Sequence, residues 1–195
     1  MPAMTRVHVA LCRSAPWRGV TRRVVLPWAL QGFTLHGDVL EIGAGSGAMA
    51  EEALASHPSV TLTASDFDDE MVAAMAARLA SFGDRAHVQQ ADATALPFAD
   101  ERFDVVLSWV MLHHTVEWEH ALAEAVRVLR PGGHLVAYDL LSSPPLRMLH
   151  RHDHDRLRLM RLDELRAEVR TLPVDAVRIR RGLGGLVVRF TLQKH

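Results

Sequence analysis

The chain has 195 residues, of which 49% are hydrophobic and 23% are charged, and its formal net charge is −1. This length suits one domain with a sizeable core and is too short for two ordinary domains, while the hydrophobic fraction excludes a disordered chain. A net charge so close to zero excludes a molecule that is basic throughout, as a general nucleic-acid binder is.

The first 36 residues are expected to form helices that cover a crevice, with apolar anchors at Met4, Trp17, Trp28 and Phe33. From Asp38 onward, short apolar runs alternate with stretches of helical periodicity. Strands are predicted at Asp38–Ile42, Val60–Ala64, Ala86–Gln90, Phe103–Leu107 and His134–Tyr138. Helices are predicted to begin at Ala48, Asp68 and Trp118, and to end at His57, before Gly83 and before Pro131.

The end of the chain has a different pattern. A further amphipathic helix is predicted to stop at Pro173, and Val174–Arg180 and Leu186–Leu192 then flank a glycine-rich turn, as in a β-hairpin. The stretch Leu141–Arg158 is predicted to be irregular. Because strand–helix–strand units need right-handed crossovers, we expect an α/β sandwich of three layers. Its sheet is expected to have seven strands, mostly parallel, with an antiparallel final strand.

The cysteine content and the lengths of the apolar segments indicate in which cellular compartment the protein is found. Cys12 is the only cysteine, which excludes an intrachain disulfide and a zinc site built from several cysteines. No apolar run approaches the roughly 18 residues of a membrane span, and Val24–Leu30 is interrupted by Pro27. The N-terminal residues lack the apolar segment and cleavage site of a secretory signal. We therefore expect no membrane span and a cytoplasmic location.

A glycine cluster follows the first strand, in Val39–Gly47, which reads Val-Leu-Glu-Ile-Gly-Ala-Gly-Ser-Gly. Glycines there let the backbone turn sharply and let a ligand approach where a Cβ atom would collide. The cluster alone is ambiguous, because Gly43–Ala48 also fits the G-x-G-x-x-A fingerprint of dinucleotide-binding proteins. A tight turn without any ligand is the other interpretation.

Three carboxylates narrow the choice of ligand. Glu41 stands two residues before the first glycine, where it suits a cationic amino-acid-like group and would repel a pyrophosphate. Asp66 ends the second strand, where a carboxylate can accept both hydroxyls of a ribose. Asp92 follows the third strand at the same edge. Three converging acids indicate a ligand with a sulfonium, an amine and an adenosine, although Asp66 and Asp92 could each be an ordinary surface acid.

Five sequence segments with recognisable motifs follow one another between Asp38 and about Leu140. They are Val39–Gly47, Ser65–Phe67, Gln90–Phe98, Phe103–His114 and Leu129–Gly133. In this order and spacing they resemble the motifs of class I S-adenosylmethionine (SAM)-dependent methyltransferases. The similarity is to the small-molecule branch often called type 11, which includes the quinone-biosynthesis enzymes. The resemblance implies a Rossmann-like fold, an enzyme, and S-adenosyl-L-methionine as cofactor, with S-adenosylhomocysteine (SAH) as product.

The resemblance also divides the single domain, residues 1–195, into four parts. They are an N-terminal helical lid, the SAM-binding core, a substrate-side loop, and the last helix with the C-terminal hairpin, at 1–36, 37–140, 141–158 and 159–195. By the same resemblance Glu41 orders the methionine end of the cofactor, and Ser108 and Trp109 face that end. The loop residues that pass beneath the cofactor are Gly43, Ala44, Gly45 and Gly47.

Four further positions would hold the adenosine part, again as the resemblance implies. Asp66 would bind the ribose, and Phe67 would lie against the adenine ring. Asp92 would hold the adenine amino group, with the backbone of Ala93 beside it.

Methyl transfer from a sulfonium is an in-line displacement with a neutral leaving group, so the protein has to align the nucleophile and exclude water. A small-molecule substrate with an O, N or C nucleophile is expected. A hydroxyl also needs a base, and the catalytic candidates are His113 and His114, directly after the fourth strand. The competing interpretation of each is a hydrogen-bonded structural histidine.

Charge and histidine clusters suggest other partners. Residues 1–23 hold five Arg and no acid, and 147–195 hold twelve basic residues against six acids, whereas 24–146 hold five Arg against seventeen acids. The basic ends suggest that the chain could bind tRNA or DNA. Ser108–Val110 differs from the motif of amino-adenine methylases, however, so no nucleic-acid partner is expected.

The cluster His150–Asp155 suggests a metal site. The neighbouring arginines would repel a cation, so no metal site is expected. A monomer or homodimer is expected.

Two alternatives from other classes remain. An NAD(P)-dependent oxidoreductase shares the glycine loop and Asp66, but it has no use for Glu41 or Asp92 and the chain has no Tyr-x-x-x-Lys pair. A non-catalytic SAM-binding protein, which kept the cofactor site and lost the substrate pocket, has the same sequence features.

Overall fold

The computed structural model describes residues 24–30, 32–149 and 157–195. These residues form seven strands: β1 Asp38–Ile42, β2 Thr61–Asp66, β3 Ala86–Gln90, β4 Phe103–Trp109, β5 Leu129–Leu140, β6 Val174–Gly182 and β7 Val187–Lys194. Their helices are α1 Leu26–Leu30, α2 Ala48–Ser56, α3 Asp69–Leu79, α4 Trp118–Arg127, α5 Pro144–Leu149 and α6 Leu162–Val169. Short 3₁₀ segments lie at Ala80–Arg85, Leu112–His114 and Leu183–Gly185.

The strands form one mixed sheet in the order β3-β2-β1-β4-β5-β7-β6. Neighbours from β3 to β5 are parallel, whereas β7 is antiparallel to both β5 and β6. This confirms the predicted sheet of seven strands with an antiparallel final strand. Because β7 inserts beside β5, β6 is left at the edge of the sheet.

Two apolar clusters cover opposite faces of the sheet. Helices α4 and α6 pack over Leu40, Val106 and Phe190, while α1, α2 and α3 pack over Val39 and Leu107. Successive residues of a strand point to opposite faces, which is why neighbouring residues of β1 and β4 join different clusters. The three-layer arrangement predicted from the sequence is confirmed.

Helix α3 starts where the acidic run predicted a helix start. The side chain of Asp68 accepts hydrogen bonds from the backbone amides of Glu70 (2.8 Å) and Met71 (3.1 Å). These two bonds satisfy donors that a helix start leaves without intrahelical partners. The cap fixes the direction in which the chain leaves the end of β2.

Most element bounds differ from the sequence prediction by a few residues, and two differences have a clear physical cause. Strand β5 begins at Leu129 rather than His134, because Leu129 pairs with Phe103 before the ladder shifts and resumes at His134 opposite Val105. The Pro-Gly-Gly run between these pairs therefore lies in an irregularity inside the strand, a position that proline and glycine tolerate. The stretch Leu141–Arg158, predicted to be irregular, contains α5, whose two prolines occupy the first turn, where no intrahelical amide bond is lost.

Some sequence predictions concern residues outside the described ranges. Most of the predicted lid, residues 1–23, and the His150–Asp155 cluster belong to this group. Among the residues that are described, no helix is both long enough and apolar enough to cross a membrane.

Candidate functional site

Most of the predicted site residues lie along one edge of the sheet. Because β1 to β5 run parallel, their carboxyl ends point to the same side. The pairing sets Ile42 between Ser65 and Ser108, and sets Asp66 beside Gln90. The structure therefore brings the end of β1, the glycine loop, Asp66 and the end of β4 together.

The glycine loop is attached to the end of β2 by two hydrogen bonds. The amide of Ala44 donates to the carbonyl of Ser65 (2.9 Å), and the amide of Gly45 donates to Oδ2 of Asp66 (2.8 Å). The other oxygen of Asp66 accepts from the amide of Asp68 (3.0 Å). Each carboxylate oxygen has a second acceptor position, so Asp66 keeps capacity for two more donors.

Two glycines in this loop serve different purposes, although both have positive φ, 62° at Gly43 and 56° at Gly45. A Cβ atom on Gly43 would lie 1.9 Å from Cγ of Met111, so this position has no room for a side chain. A Cβ atom on Gly45 would meet nothing within 4 Å. Gly43 is therefore required by internal packing, and Gly45 presents bare backbone to open space that a ligand can enter.

Glu41 is a buried acid without a described partner. Its side chain is 2% exposed, and Oε2 has no hydrogen-bond partner among the described residues. Burial, reinforced by the negative charge of Asp66, raises the pKa of Glu41 to about 8. A buried acceptor without a partner is costly in a folded protein, so this atom marks a place where a donor from a ligand would be stabilised.

The end of β4 adds two more buried polar atoms. Oγ of Ser108 and Nε1 of Trp109 have no hydrogen-bond partner in the described part of the chain. The next residue, Val110, has a φ of 53°, an outlier for a β-branched side chain, and its amide donates to the carbonyl of Tyr138 (2.9 Å). Backbone strain of this kind concentrates at functional sites, and here it turns the chain out of the sheet.

Sequence reasoning missed an aromatic wall beside Glu41. The ring of Trp109 lies 5.4 Å from the ring of Tyr138, which in turn meets Trp28 edge-on at 5.2 Å. Burial and the nearby charges of Glu41 and Asp139 raise the pKa of Tyr138, so its hydroxyl stays protonated. Aromatic residues in a strand are ordinary core signals, and only the register shows that Trp109 and Tyr138 lie side by side.

The residues predicted around the adenosine part are more loosely connected. Phe67 is 46% exposed and presents its ring directly after β2. Asp92 is exposed, and its Oδ1 accepts from the amide and the hydroxyl of Thr94, both at 2.8 Å. Ala93 is buried beside it. Asp92 follows the end of β3 and, among the described residues, makes no direct bond to Glu41 or Asp66.

His113 is held in place by a residue that sequence reasoning missed. Its Nδ1 lies 2.6 Å from Oδ1 of Asp139, and its amide donates to Oδ2 of the same carboxylate (3.3 Å). His113 is 3% exposed and Asp139 is fully buried, while the carbonyl of His113 accepts from the amide of Arg158 (2.9 Å). The pair therefore ties the turn after β4 to the end of β5 and to Arg158. Asp139 carries the same sequence signal as Glu41, an acid at the end of an apolar strand.

His114 occupies a different environment. Its ring lies 4.1 Å from the ring of His113 and is half-buried rather than buried. Of the two predicted catalytic histidines, His114 is therefore the more accessible.

Comparison with known proteins gives one matching family model. Residues 39–133 match the model described as a methyltransferase domain. The chain is 37% identical over 135 residues to a demethylmenaquinone methyltransferase of Clavibacter sepedonicus, covering 69% of this chain and 51% of that protein. It is 34% identical over 123 residues to a ubiquinone/menaquinone biosynthesis C-methyltransferase of Geotalea daltonii, covering 62% and 52%. The chain thus spans about half the length of these curated relatives.

Solved structures show the same fold at low sequence identity. A SAM-dependent methyltransferase from Thermotoga maritima superposes with a TM-score of 0.71 at 20% identity, covering 92% of this chain and 94% of that one. This likeness agrees with the fold described above.

The pKa of Glu41 predicts how stability depends on pH. Between about 4.5 and about 8 the folded protein holds a proton on Glu41 that the unfolded chain has released. Raising the pH through this range therefore lowers the free energy of unfolding, by up to about 1.4 kcal/mol per pH unit from this group. Glu41→Gln should remove this contribution, as measured by urea unfolding at several pH values. Glu70→Gln, at an exposed position, is the matched control, and equal slopes for Glu41→Gln and wild type would contradict the prediction.

Substituting alanine for Gly43 and for Gly45 should distinguish the glycine that internal packing requires from the glycine that faces open space. Gly45→Ala should cost only the left-handed backbone strain, about 1–2 kcal/mol. Gly43→Ala should cost more, because its methyl group also collides with Met111. Thermal and urea unfolding of both variants measure the difference. Equal losses of stability would show that Met111 does not close over Gly43.

Proposed function

We propose that this chain, whose residues 39–133 match the model described as a methyltransferase domain, transfers a methyl group from SAM to a small molecule. The observation that carries the proposal is the buried carboxyl of Glu41, near the end of β1, whose Oε2 has no described partner. A carboxylate there suits the cationic amino-acid end of SAM and would repel the pyrophosphate of a dinucleotide.

The residues at this edge fit SAM in their chemistry. Glu41 would hold the amino-acid end, with Ser108 and Trp109 beside it offering a hydroxyl and an indole N–H that lack described partners. Gly45, open on its outer side, would let the loop Gly43–Gly47 approach the ligand closely.

The adenosine part of SAM suits the β2 and β3 ends. Asp66 has two acceptor positions left for the ribose hydroxyls, and Phe67 exposes a flat ring for adenine. Asp92 and the backbone of Ala93 would receive the adenine amino group at the far side of the crevice. These assignments give a role in binding SAM to each of the three acids predicted at this edge, Glu41, Asp66 and Asp92.

When bound, SAM supplies a methyl group on a sulfonium, which leaves as a neutral thioether. The chain's own residues then have to align an acceptor with that methyl group and exclude water. The aromatic wall of Trp28, Trp109 and Tyr138 offers an apolar surface beside Glu41 for both purposes. The quinone named for the two relatives supports a small aromatic acceptor, attacked through an O, N or C atom.

A hydroxyl acceptor would also need a group to take its proton. His114, half-buried after the end of β4, is the residue we propose for this step. His113 would act by position, because Nδ1 faces Asp139 and any proton it took would sit on Nε2. In this scheme Asp139 and His113 hold the turn that presents His114.

The sheet argues against the oxidoreductase alternative. Dinucleotide-binding Rossmann domains have a parallel sheet of order 3-2-1-4-5-6. Here an antiparallel strand, β7, lies between β5 and β6. Tyr138, the only tyrosine, is occupied in the aromatic wall.

Calorimetry with SAM, SAH and NADH tests the proposed cofactor. Wild type should bind SAM and SAH and not NADH, and Asp66→Ala should weaken SAH binding about tenfold to a hundredfold through lost bonds to a charged acceptor. Asp84→Ala, an exposed acid on the 3₁₀ segment after α3, is the matched control and should bind as wild type does. Failure of wild type to bind either sulfur ligand would overturn the proposal.

Substitution of the two histidines tests the proposed base. With a hydroxylated quinol as acceptor and methyl-labelled SAM, His114→Ala should lower kcat by about 10²–10⁴-fold and leave SAH binding unchanged. His113→Ala should instead lower thermal stability, since the buried carboxylate of Asp139 loses its bond to the imidazole and keeps only backbone donors. Full turnover by His114→Ala would exclude His114 as the base.

A further inference from the structure

Five arginine side chains around the edge strand β6 have no partner among the described residues. Arg127, Arg130, Arg158 and Arg161 each form ion pairs within the described residues. By contrast, no hydrogen bond or ion pair within those residues engages the side chains of five others, Arg166, Arg170, Arg178, Arg180 and Arg181. Their charges are therefore available to an acidic partner.

A groove lies beside these arginines, between α6 and β6. Its volume is about 470 Å³, and its lining is Arg166, Val169, Arg170, Leu172, Val174, Val177 and Ile179. Two arginines and five apolar residues line it, and no carboxylate does. Val177 is 43% exposed, which leaves part of this apolar lining in contact with solvent. The groove can therefore receive apolar side chains next to positive charge.

The backbone of β6 adds a third feature. As the edge of the sheet, β6 pairs with β7 only, so alternate N–H and C=O groups point away from the sheet. Side chains alternate between the two faces of a strand. Val177 and Ile179 line the groove, so Arg178 and Arg180 point to the opposite face of the sheet. A strand added here would meet apolar residues on one face and arginines on the other.

We propose that β6 binds an extended acidic segment of a partner protein, in which apolar residues alternate with Asp or Glu. Backbone hydrogen bonds to the free edge would hold the segment as an added strand. Its apolar side chains would enter the groove, and its carboxylates would face Arg178 and Arg180, with cross-strand pairing of opposite charges.

Three other occupants fit less well. Nucleic acid would need rings for base stacking, and no aromatic residue lines the groove. A second copy of the chain, paired antiparallel about Arg178, would set that arginine opposite itself. Residues 1–23 of this chain hold five Arg and no carboxylate, so they do not complement a cationic groove.

Fluorescence anisotropy with the whole chain tests the proposal. The probe is a fluorescein-labelled peptide of alternating Glu and Val, nine residues long to match β6. It should bind, and hydrogen exchange should then slow at the amides of 174–182. A peptide of the same composition with its Glu and Val in separate blocks, and one with Gln in place of Glu, should each bind at least about tenfold more weakly.

Charge reversal on β6 gives the matched comparison. The double variant Arg178→Glu/Arg180→Glu should weaken binding of the alternating peptide about tenfold or more, while Arg178→Lys/Arg180→Lys should retain it. Circular dichroism melting confirms that both variants remain folded. Unchanged binding after charge reversal, equal binding of the block peptide, or tighter binding of a 20-nucleotide oligonucleotide would overturn the proposal. So would a dimer in sedimentation velocity that protects residues 174–182 without peptide.

Discussion

The hydrogen bond from the Gly45 amide to the Asp66 carboxylate is the contact on which the site depends. It joins the loop after β1 to the end of β2, and the bond from Ala44 to Ser65 secures the same junction. With the loop fixed there, Gly45 faces open space and the carboxyl of Glu41 lies enclosed below. One junction between two strand ends thus sets both the shape and the charge of the crevice.

That junction brings Asp66 close to Glu41, and the proximity of the two acids disfavours the ionised form of Glu41. Asp66 is tied to two backbone amides, and its charge adds to the burial that raises the pKa of Glu41 to about 8. Without a cation nearby, Glu41 therefore holds a proton at neutral pH. A cationic ligand would favour the ionised carboxyl and displace that proton, so ligand binding and proton release are coupled. The destabilisation that comes from burying Glu41 would be relieved when such a ligand binds.

The sequence predicted the parts of this arrangement that depend on local pattern. The bounds of β1 and β3 match the structure, because apolar alternation and the glycine loop define them within a few residues. The aromatic wall and the bond between His113 and Asp139 could not be predicted, since they join residues 26 or more positions apart along the chain whose meeting depends on strand register. The shift inside β5 had the same origin, because pairing with Phe103 overrides the local signal of Pro-Gly-Gly.

Sheet order also separates the two charged surfaces of the molecule. The crevice lies at the ends of β1 and β4, whereas β6 is three strands beyond β4, a distance of about 14 Å at the usual strand spacing. A cationic ligand is attracted by Glu41 and Asp66 and repelled by the arginines of β6, and an acidic segment experiences the reverse. Because salt screens charges over about 10 Å, a ligand at either surface would experience little of the field from the other. An acidic partner on β6 can therefore bind while the crevice is occupied.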